Sequence, residues 1–322
     1  MLNARVIFLF GAIIGLLNCR GLGEQLKASA AEPSASAVDL EHLQPALPTI
    51  PDREFKLTDF GGIGDGIAWN TEAFKQAITK IDAAGGGKLV VPKGVYKTLP
   101  FALCSSLDLH LDEGAVIQAA DKFTDFGLPE PETLKSQDQV REKVKAPSPL
   151  ITGKNLHDAA ITGSGVIDGA GSTWWAWSER ASRSQPGRLI YPRANLVVID
   201  GCQRLHVEGI TLRNSSKFHL VPNRVSDLVI ERVKVQSPEP APNTDAIDPG
   251  NCSNVLIRGC QIDTGDDDIV IKSGGHNILI EDCHILHGHG ISIGSGTTEG
   301  VHNMLVRHCT FDGADNGIRI KS

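Results

Sequence analysis

The chain has 322 residues, of which 5% are aromatic and 34 are glycine, and its formal net charge at pH 7 is −7. This length allows one large domain or two ordinary domains. So few aromatic residues and so much glycine favour a repetitive β-fold with many tight turns over a globule with a bulky core. The modest negative charge gives no argument for binding to nucleic acid or to an anionic membrane, and a polyanionic partner would need a local positive site.

The first 30 residues have the pattern of a secretory signal peptide. Arg5 precedes the apolar run Val6–Leu17, and Ala28-Ser29-Ala30 offers small residues for cleavage. The run is too short for a transmembrane helix, although an uncleaved anchor is the alternative. Residues 31–54, rich in Ala, Ser and Pro at their start, predict a flexible lead-in. We therefore expect a secreted or periplasmic protein with no membrane contact after cleavage.

One amphipathic helix is predicted ahead of a long series of short strands. Residues 71–83 show apolar residues at helical spacing, Asn70 or Thr71 can cap the segment, and the glycines 85–87 end it. The apolar face of such a helix would cover the open end of a stack of coils. From Lys88 onward, short apolar strands alternate with turn residues.

Two segments interrupt the strands. Residues 121–149 are charged and proline-rich, which predicts an excursion from one coil. Trp174, Trp175 and Trp177 lie in a second loop. These tryptophans either stack on a ligand or pack beneath the loop, and the sequence favours neither alternative.

The last third of the chain repeats at a fixed interval. Asp267 follows Asp245 by 22 positions, His289 follows Asp267 by 22, and an isoleucine stands two residues after each. Such a period with matched apolar positions is typical of a parallel β-helix with one repeat per coil. Stacked coils bring equivalent residues about 4.8 Å apart. The sequence therefore predicts a column of two carboxylates and an imidazole, with the carboxyl group of Asp266 beside it.

A second repeat indicates the same stacking. The segments Asn254–Cys260, Asn277–Cys283 and Asn303–Cys309 align without gaps. The recurrent asparagine predicts hydrogen bonds in a turn, and the recurrent cysteine predicts a column of buried thiols. Disulfides remain the alternative, because sequence spacing cannot assign pairs. The cysteines and histidines show no metal-binding spacing, so no metal site is predicted from them.

Four short motifs in the late coils carry the chemistry. They are Asn243-Thr244-Asp245, Gly265-Asp266-Asp267-Asp268, Gly288-His289-Gly290 and Arg319-Ile320-Lys321. Clustered carboxylates repel one another, so at least one is expected to have a raised pKa and to keep its proton near neutrality. One protonated acid and one ionised base are what cleavage of a glycosidic bond requires. Calcium binding is the rival interpretation of three successive aspartates.

The basic residues of the last motif suggest the substrate. If Ile318 and Ile320 fill the interior, strand alternation places Arg319 and Lys321 on the outer face. A neutral sugar would not need this fixed positive charge, whereas a uronic acid carboxylate would.

The four motifs, in this order, resemble those of the polygalacturonases, glycoside hydrolase family 28, over about residues 55–322. The resemblance implies an all-β fold: a single-stranded right-handed parallel β-helix, or pectin-lyase-like solenoid, with an N-terminal capping helix. It also implies an inverting hydrolase for the α-1,4 linkages of galacturonan in pectin, which needs no cofactor and no metal. Asp266 matches the general acid of the family, and Asp245 and Asp267 match the pair that activates water.

The resemblance extends to the substrate contacts. His289 matches the histidine that supports protonation of the acid, Arg319 and Lys321 match the residues that bind the substrate carboxylate, and Asn243 is a further expected contact. The polyanionic substrate is the expected partner of a monomer, with no nucleic acid involved.

Three departures from the family pattern bear on these expectations. Ala246 stands where glycine is common, and Asp268 stands where Cys, Asn or Ser is frequent. A third carboxylate would increase local repulsion and shift the pH optimum. Family members also continue for several coils after Arg-Ile-Lys, so we expect the catalytic domain, residues 55–322, to be truncated at its C-terminus.

Four alternative functions stay open at this point. They are a related hydrolase of rhamnogalacturonan or xylogalacturonan, an exo-acting enzyme, a calcium-dependent pectate lyase and an inactive truncated homologue.

Overall fold

A computed structural model describes residues 38–321 and the backbone of a two-residue strand, Val6–Ile7. Apart from that strand, the predicted signal peptide and the first part of the lead-in lie outside the described residues. The strands are β1 (Val6–Ile7), β2 (Glu54–Lys56), β3 (Asp65–Trp69), β4 (Gly87–Val91), β5 (Gly94–Thr98), β6 (Phe101–Ala102), β7 (Leu107–Leu111), β8 (Ala115–Ala119), β9 (Ile151–Gly163), β10 (Val166–Asp168), β11 (Val197–Glu208), β12 (Thr211–Arg213), β13 (Leu220–Glu231), β14 (Lys234–Gln236), β15 (Ser253–Arg258), β16 (Gln261–Asp263), β17 (Ile269–Ile271), β18 (His276–Glu281), β19 (His284–Ile285), β20 (Ile291–Ile293), β21 (His302–Arg307), β22 (Thr310–Phe311) and β23 (Ile318–Ile320).

The helices are short apart from the first. They are α1 (Thr71–Ala83), α2 (Gln137–Lys143), α3 (Ser172–Trp175), α4 (Glu179–Ser184) and the 3-10 turns Leu40–His42, Leu57–Phe60, Phe123–Phe126 and Pro131–Thr133.

Three parallel sheets run along the stack of coils. The first has the order β2-β4-β7-β9-β11-β13-β15-β18-β21, the second β3-β5-β8-β10-β12-β14-β16-β19-β22, and the third β17-β20-β23. Strand β6 pairs with β9, and β1 joins the edge of the first sheet antiparallel to β21. Because each strand pairs with its counterpart one coil further on, the architecture is the predicted parallel β-helix. Its interior is filled by fully buried aliphatic side chains such as Ile257, Ile280 and Ile285.

The register of the third sheet confirms the 22-residue repeat. Ile247 bridges to Ile269, Ile269 pairs with Ile291, and Ile291 pairs with Ile318. The isoleucines of neighbouring coils therefore stack, and the residues two positions earlier come into line with them. The long strands β9, β11 and β13 precede this region, so the third sheet is confined to the late coils.

The asparagine and cysteine repeats form ladders, as the sequence predicts. The side-chain amide of Asn303 donates to Asn277 at 3.2 Å, and that of Asn277 donates to Asn254 at 3.1 Å. The φ angles of these asparagines are 52° to 55°, a left-handed conformation that asparagine tolerates. All six cysteines between residues 38 and 321 are free, which favours the interpretation as stacked thiols.

Helix α1 covers one end of the coil stack. Its side chains Phe74 and Ile81 are fully buried, and the ring of Phe74 stacks on Phe101 with 4.3 Å between centroids. Asn70 occupies the N-cap position, but its side chain does not cap the helix. Its carbonyl oxygen instead accepts a hydrogen bond from Ile63 N at 2.7 Å, which ties down the preceding loop.

The two excursions pack against each other. Trp174 is 2% exposed, and its ring meets Phe123 edge to face at 4.5 Å. The ring of Tyr191 also meets Phe123 edge to face, with 5.2 Å between centroids. Trp174 therefore packs beneath the loops. Trp175 Nε1 donates to Ser215 O at 2.9 Å, which fixes this loop to the turn that follows β12.

The described part of the lead-in lies along the outer face of the first sheet. Leu43 is 8% exposed and packs against a row of outward-facing side chains that includes Leu256, Leu279 and Leu305. The proposed boundaries of signal, lead-in and catalytic domain remain predictions.

Candidate active site

The predicted column forms at the turns that lead into the third sheet. Asp245 and Asp267 are 4% and 2% exposed, whereas the side chains of Asp266 and His289 are 19% and 27% exposed. His289 Nδ1 lies 3.3 Å from Asp266 Oδ1 and 3.7 Å from Asp267 Oδ1. The structure thus brings together all four residues predicted to be catalytic, and Asp266 is the accessible one of the three acids.

Asp267 is the electrostatic centre of the cluster. Lys321 and Arg319 both donate to its carboxylate, and Ser292 Oγ donates to Oδ1 at 2.9 Å. Burial alone would raise the pKa of Asp267, but the hydrogen bonds from Lys321, Arg319 and Ser292 outweigh it and lower the pKa below its usual range. Asp267 is therefore ionised. The two basic residues lie on the outer face, as strand alternation predicts, but they contact an acid of the protein. Ile320, which was expected to fill the interior, is 61% exposed, because among the described residues no strand stacks on β23.

Asp245 is the acid of the predicted column whose pKa is strongly raised. Burial, followed by repulsion from Asp248, raises the pKa of Asp245 to about 9. Its Oδ1 has no hydrogen-bond partner among the described residues. The expectation that one acid in the cluster stays protonated is met. Within the column that acid is Asp245, to which the resemblance assigns water activation.

Asp248 belongs to the site and was missed from the sequence. It is 2% exposed, and within residues 38–321 neither carboxylate oxygen has a hydrogen-bond partner. Burial raises its pKa to about 7, although Lys272, whose Nζ lies 3.8 Å from Oδ2, acts in the opposite direction. The repeat could have revealed it. Ile247 aligns with Ile318 through Ile269 and Ile291, so the next residue, Asp248, aligns with Arg319 on the outer face.

Replacing Asp248 with asparagine is expected to stabilise the protein at alkaline pH. A raised pKa in the folded state means that unfolding releases a proton, so stability falls as pH rises from about 4 through about 7. The isosteric amide removes this loss. We expect no difference in the free energy of unfolding near pH 4 and a gain of about 2–4 kcal/mol near pH 8. Urea unfolding at both pH values measures it, with the exposed Glu142→Gln as control. A gain that does not grow with pH would contradict the raised pKa.

Arg193 holds the Asn243 side chain in place. Its guanidinium donates to Asn243 Oδ1 at 2.6 Å, to Pro242 O at 2.7 Å and to Ser216 O at 2.8 Å. Burial lowers the pKa of Arg193 to about 10, and the nearby Asp266 and Asp245 oppose that shift. Arg193 thus occupies the amide oxygen of Asn243, while the amide nitrogen has no hydrogen-bond partner among residues 38–321. Nothing in the sequence around Arg193 indicated this role, because it reaches Asn243 from 50 positions away.

His219 forms a hydrogen bond with the backbone of Asp245. It is fully buried, with Nδ1 3.2 Å from Asp245 O, and Nε2 accepts from Ser215 N at 3.3 Å. Since a carbonyl oxygen only accepts, Nδ1 carries the hydrogen. Burial lowers the pKa of His219 to about 4, so the ring stays neutral. A lone histidine just before strand β13 gave no signal in the sequence.

An open cavity adjoins the column. It encloses about 400 Å³ next to His289. Its wall includes Arg180 of helix α4, together with Glu239, His287 and Asp315. The second excursion thus contributes a cation to the rim of the site.

The donor set Asp266, Asp267 and His289 has the spacing of a metal site, since its ligand atoms lie within 4.8 Å of one another. The charges around it do not suit a cation. Both oxygens of Asp267 are engaged by Arg319 and Lys321, and a metal ion there would face two fixed positive charges. We therefore assign no metal to this cluster.

Comparisons with known proteins agree with this geometry. The model of glycosyl hydrolases family 28 matches residues 87–322. A probable polygalacturonase of Vitis vinifera is 31% identical over 83% of this chain and 56% of its own length. An endo-polygalacturonase of Pectobacterium parmentieri is 30% identical over 78% of this chain and 64% of its own length. The chain thus spans little more than half the length of these relatives.

A solved structure shows the same fold. The exopolygalacturonase of Thermotoga maritima superimposes with a TM-score of 0.74 and 31% identity, covering 87% of this chain and 72% of that protein. The predicted right-handed parallel β-helix is thereby confirmed. The family match covers every residue of the column and of the basic strand beside it, and the chain belongs to glycosyl hydrolases family 28.

Proposed function

We propose that this protein is an exported polygalacturonase that hydrolyses the α-1,4-galacturonosyl linkages of homogalacturonan in pectin. The observation that carries the proposal is the cluster itself, in which an accessible acid, Asp266, lies beside an ionised acid, Asp267. Arg319 and Lys321 donate hydrogen bonds to Asp267 and stabilise its negative charge. The relatives described as polygalacturonases support it. The family match favours hydrolysis over the elimination of a pectate lyase.

Asp266 is proposed as the general acid. It is the most exposed of the three acids, so a leaving oxygen can reach it. Nδ1 of His289 lies 3.3 Å from Asp266 Oδ1 and can accept a hydrogen bond from the protonated carboxyl group, which favours that form of the acid. The acid protonates the glycosidic oxygen as the bond to the anomeric carbon breaks.

Asp245 and Asp267 are proposed to activate the attacking water. They occupy the same register position in neighbouring coils, so a water between them can donate to both. Asp267 is the ionised member and accepts the proton. Asp245 in its neutral state orients the water and becomes a base only when it loses its proton.

Recognition of a uronic acid is proposed to use Arg319, Lys321 and the Asn243 amide. The two cations already compensate Asp267, so a substrate carboxylate would share them and not meet an empty positive pocket. Arg193 keeps the Asn243 amide fixed for a sugar hydroxyl. Export is proposed from the pattern of residues 1–30, and across the described residues no helix has the length and apolar character needed to cross a bilayer.

Product analysis on polygalacturonate tests the function. We expect new reducing ends without ultraviolet absorbance, in an amount that a chelator does not change. An unsaturated, absorbing product that disappears with chelator would indicate a lyase. Activity confined to rhamnogalacturonan or xylogalacturonan would show that the substrate is that polymer and not homogalacturonan. The absence of product from every polymer would indicate an inactive homologue. Monomer from the start means exo action, and mixed oligomers mean endo action.

The same digest reports the stereochemistry. Asp266 and Asp267 each offer an oxygen within 4.8 Å of the other, which is closer than the separation of about 6.5–9.5 Å that is typical of inverting hydrolases. This pair alone therefore leaves no room for the attacking water, and inversion requires that Asp245 help to hold it. With water held between Asp245 and Asp267, proton NMR of the first products should show the β-anomer. The α-anomer would instead make Asp267 or Asp245 a nucleophile.

A further inference from the structure

Asp268 is a buried acid directly beneath the Gly-His-Gly turn. It is 0% exposed. The pairing of Ile247, Ile269 and Ile291 places Ala246 under it and Gly290 above it. Ala246 belongs to the hydrophobic core, so this column faces the interior of the coil stack and not the cleft.

Its carboxyl group contacts both glycines that flank His289. Oδ2 accepts a hydrogen bond from Gly290 N at 2.7 Å. A Cβ atom built on Gly288 would lie 2.4 Å from Oδ2 and 2.5 Å from Oδ1, so the carboxyl group occupies the space that this glycine leaves. The φ angles of Gly288 and Gly290 are 130° and 82°. The turn that presents His289 therefore rests on Asp268 from both sides.

No positive charge compensates this carboxyl group. Among residues 38–321, no lysine, arginine or histidine forms an ion pair with Asp268, and Oδ1 has no hydrogen-bond partner. The acids of its own coil are Asp263, Asp266 and Asp267, and all three repel a charge on it. Burial raises the pKa of Asp268 to about 8, and only the bond from Gly290 opposes that shift.

The neighbouring coils do not change that balance. The coil above contributes His287, which pairs with Asp263 at 2.9 Å, and His289, which faces Asp266 and Asp267. The coil below contributes Asp245. A charge on Asp268 would thus be buried, uncompensated and surrounded by acids.

We propose that Asp268, as a neutral carboxylic acid, is a positioning residue that holds His289 over Asp266 and Asp267, and that its ionisation releases the turn. The proposal rests on the proposed function through the role of His289. A carboxylate at this place must be hydrated, and water reaches it only if Gly288 and Gly290 move away. Moving them carries His289 with them, so the loss falls on turnover and not on substrate binding.

The isosteric variant Asp268→Asn tests this inference. Its side-chain oxygen can still accept the Gly290 N–H, but it cannot ionise. We expect the ratio of kcat for the variant to kcat for the wild type to be about 1 near pH 5. Near pH 9, where the wild-type acid is about ten-to-one ionised, the ratio should rise to about ten, with KM little changed. Taking the ratio cancels the titration of Asp245 and Asp248, which both proteins share.

A second readout needs no substrate. The ring signals of His289, assigned in the NMR spectrum by comparison with His289→Gln, should shift in the wild type between about pH 7 and pH 9 and lose that shift in Asp268→Asn. Superimposable pH profiles, or a loss of turnover that is the same at every pH, would overturn the proposal. If neither protein hydrolyses polygalacturonate, the proposed function fails, while the NMR comparison still decides the role of Asp268. Asp268→Ser, which also cannot ionise, serves if the amide does not fold.

Discussion

Asp266→Asn is expected to lower kcat on polygalacturonate by about two to four orders of magnitude while leaving the fold intact. The amide has no acidic proton to give to the leaving oxygen. The structural duty of the side chain survives, because its Oδ1 accepts a hydrogen bond from Asp267 N at 3.0 Å and an amide oxygen can do the same. Steady-state kinetics over the pH range of the wild type measures the loss, and KM should change little.

A substrate with a better leaving group sharpens this test. An aryl galacturonide needs little protonation to depart, so Asp266→Asn should lose much less activity on it than on the polymer. The matched control is Asp315→Asn, whose carboxylate lies 3.6 Å from His289 Nε2 but is 69% exposed, and it should stay within about threefold of the wild type. An unchanged rate for Asp266→Asn on polygalacturonate would refute its role as the acid.

The placement of the column could be predicted because one coil equals one repeat. Isoleucines two positions after Asp245, Asp267 and His289 fix the phase of each turn relative to the interior, and the observed pairs keep that phase. Since the three turns share a length, their polar residues stack as well. The same reasoning correctly placed Arg319 on the outer face of its strand.

The rest depends on contacts between coils that share no motif. Arg193 and His219 meet Asn243 and Asp245 from turns 50 and 26 positions away, and each stands alone in the sequence. The site of the retained proton was also beyond prediction, because it depends on how deeply each carboxyl group is buried. Burial raises the pKa of Asp245 to about 9, whereas the cations beside Asp267 reverse that effect.

Asp267→Asn is expected to lower both turnover and stability. The variant lacks the base that accepts the proton of water, which costs about two to four orders of magnitude in kcat. It also leaves Arg319 and Lys321, about 70% buried, without the charge that holds them. Ser292 can still donate to the amide oxygen. We expect the free energy of unfolding near pH 7 to fall by about 1–3 kcal/mol.

The pH dependence of that loss has a definite sign. The pKa of Asp267 is lowered in the folded state, so its stabilising effect is present above the unfolded pKa of about 3.9. It disappears as pH falls through the folded value. Urea unfolding should therefore show a constant difference between wild type and Asp267→Asn from pH 7 down to about pH 4, and the two should converge only as the pH is lowered further.

Asp248→Asn is the matched comparison, because it removes an acid of the same size from the same cleft. Its pKa is shifted the other way, so that variant should become more stable than the wild type as pH rises, while Asp267→Asn becomes less stable. If both variants change stability in the same direction with pH, then Arg319 and Lys321 do not hold Asp267 ionised. The base in the proposed reaction would then have to be found elsewhere.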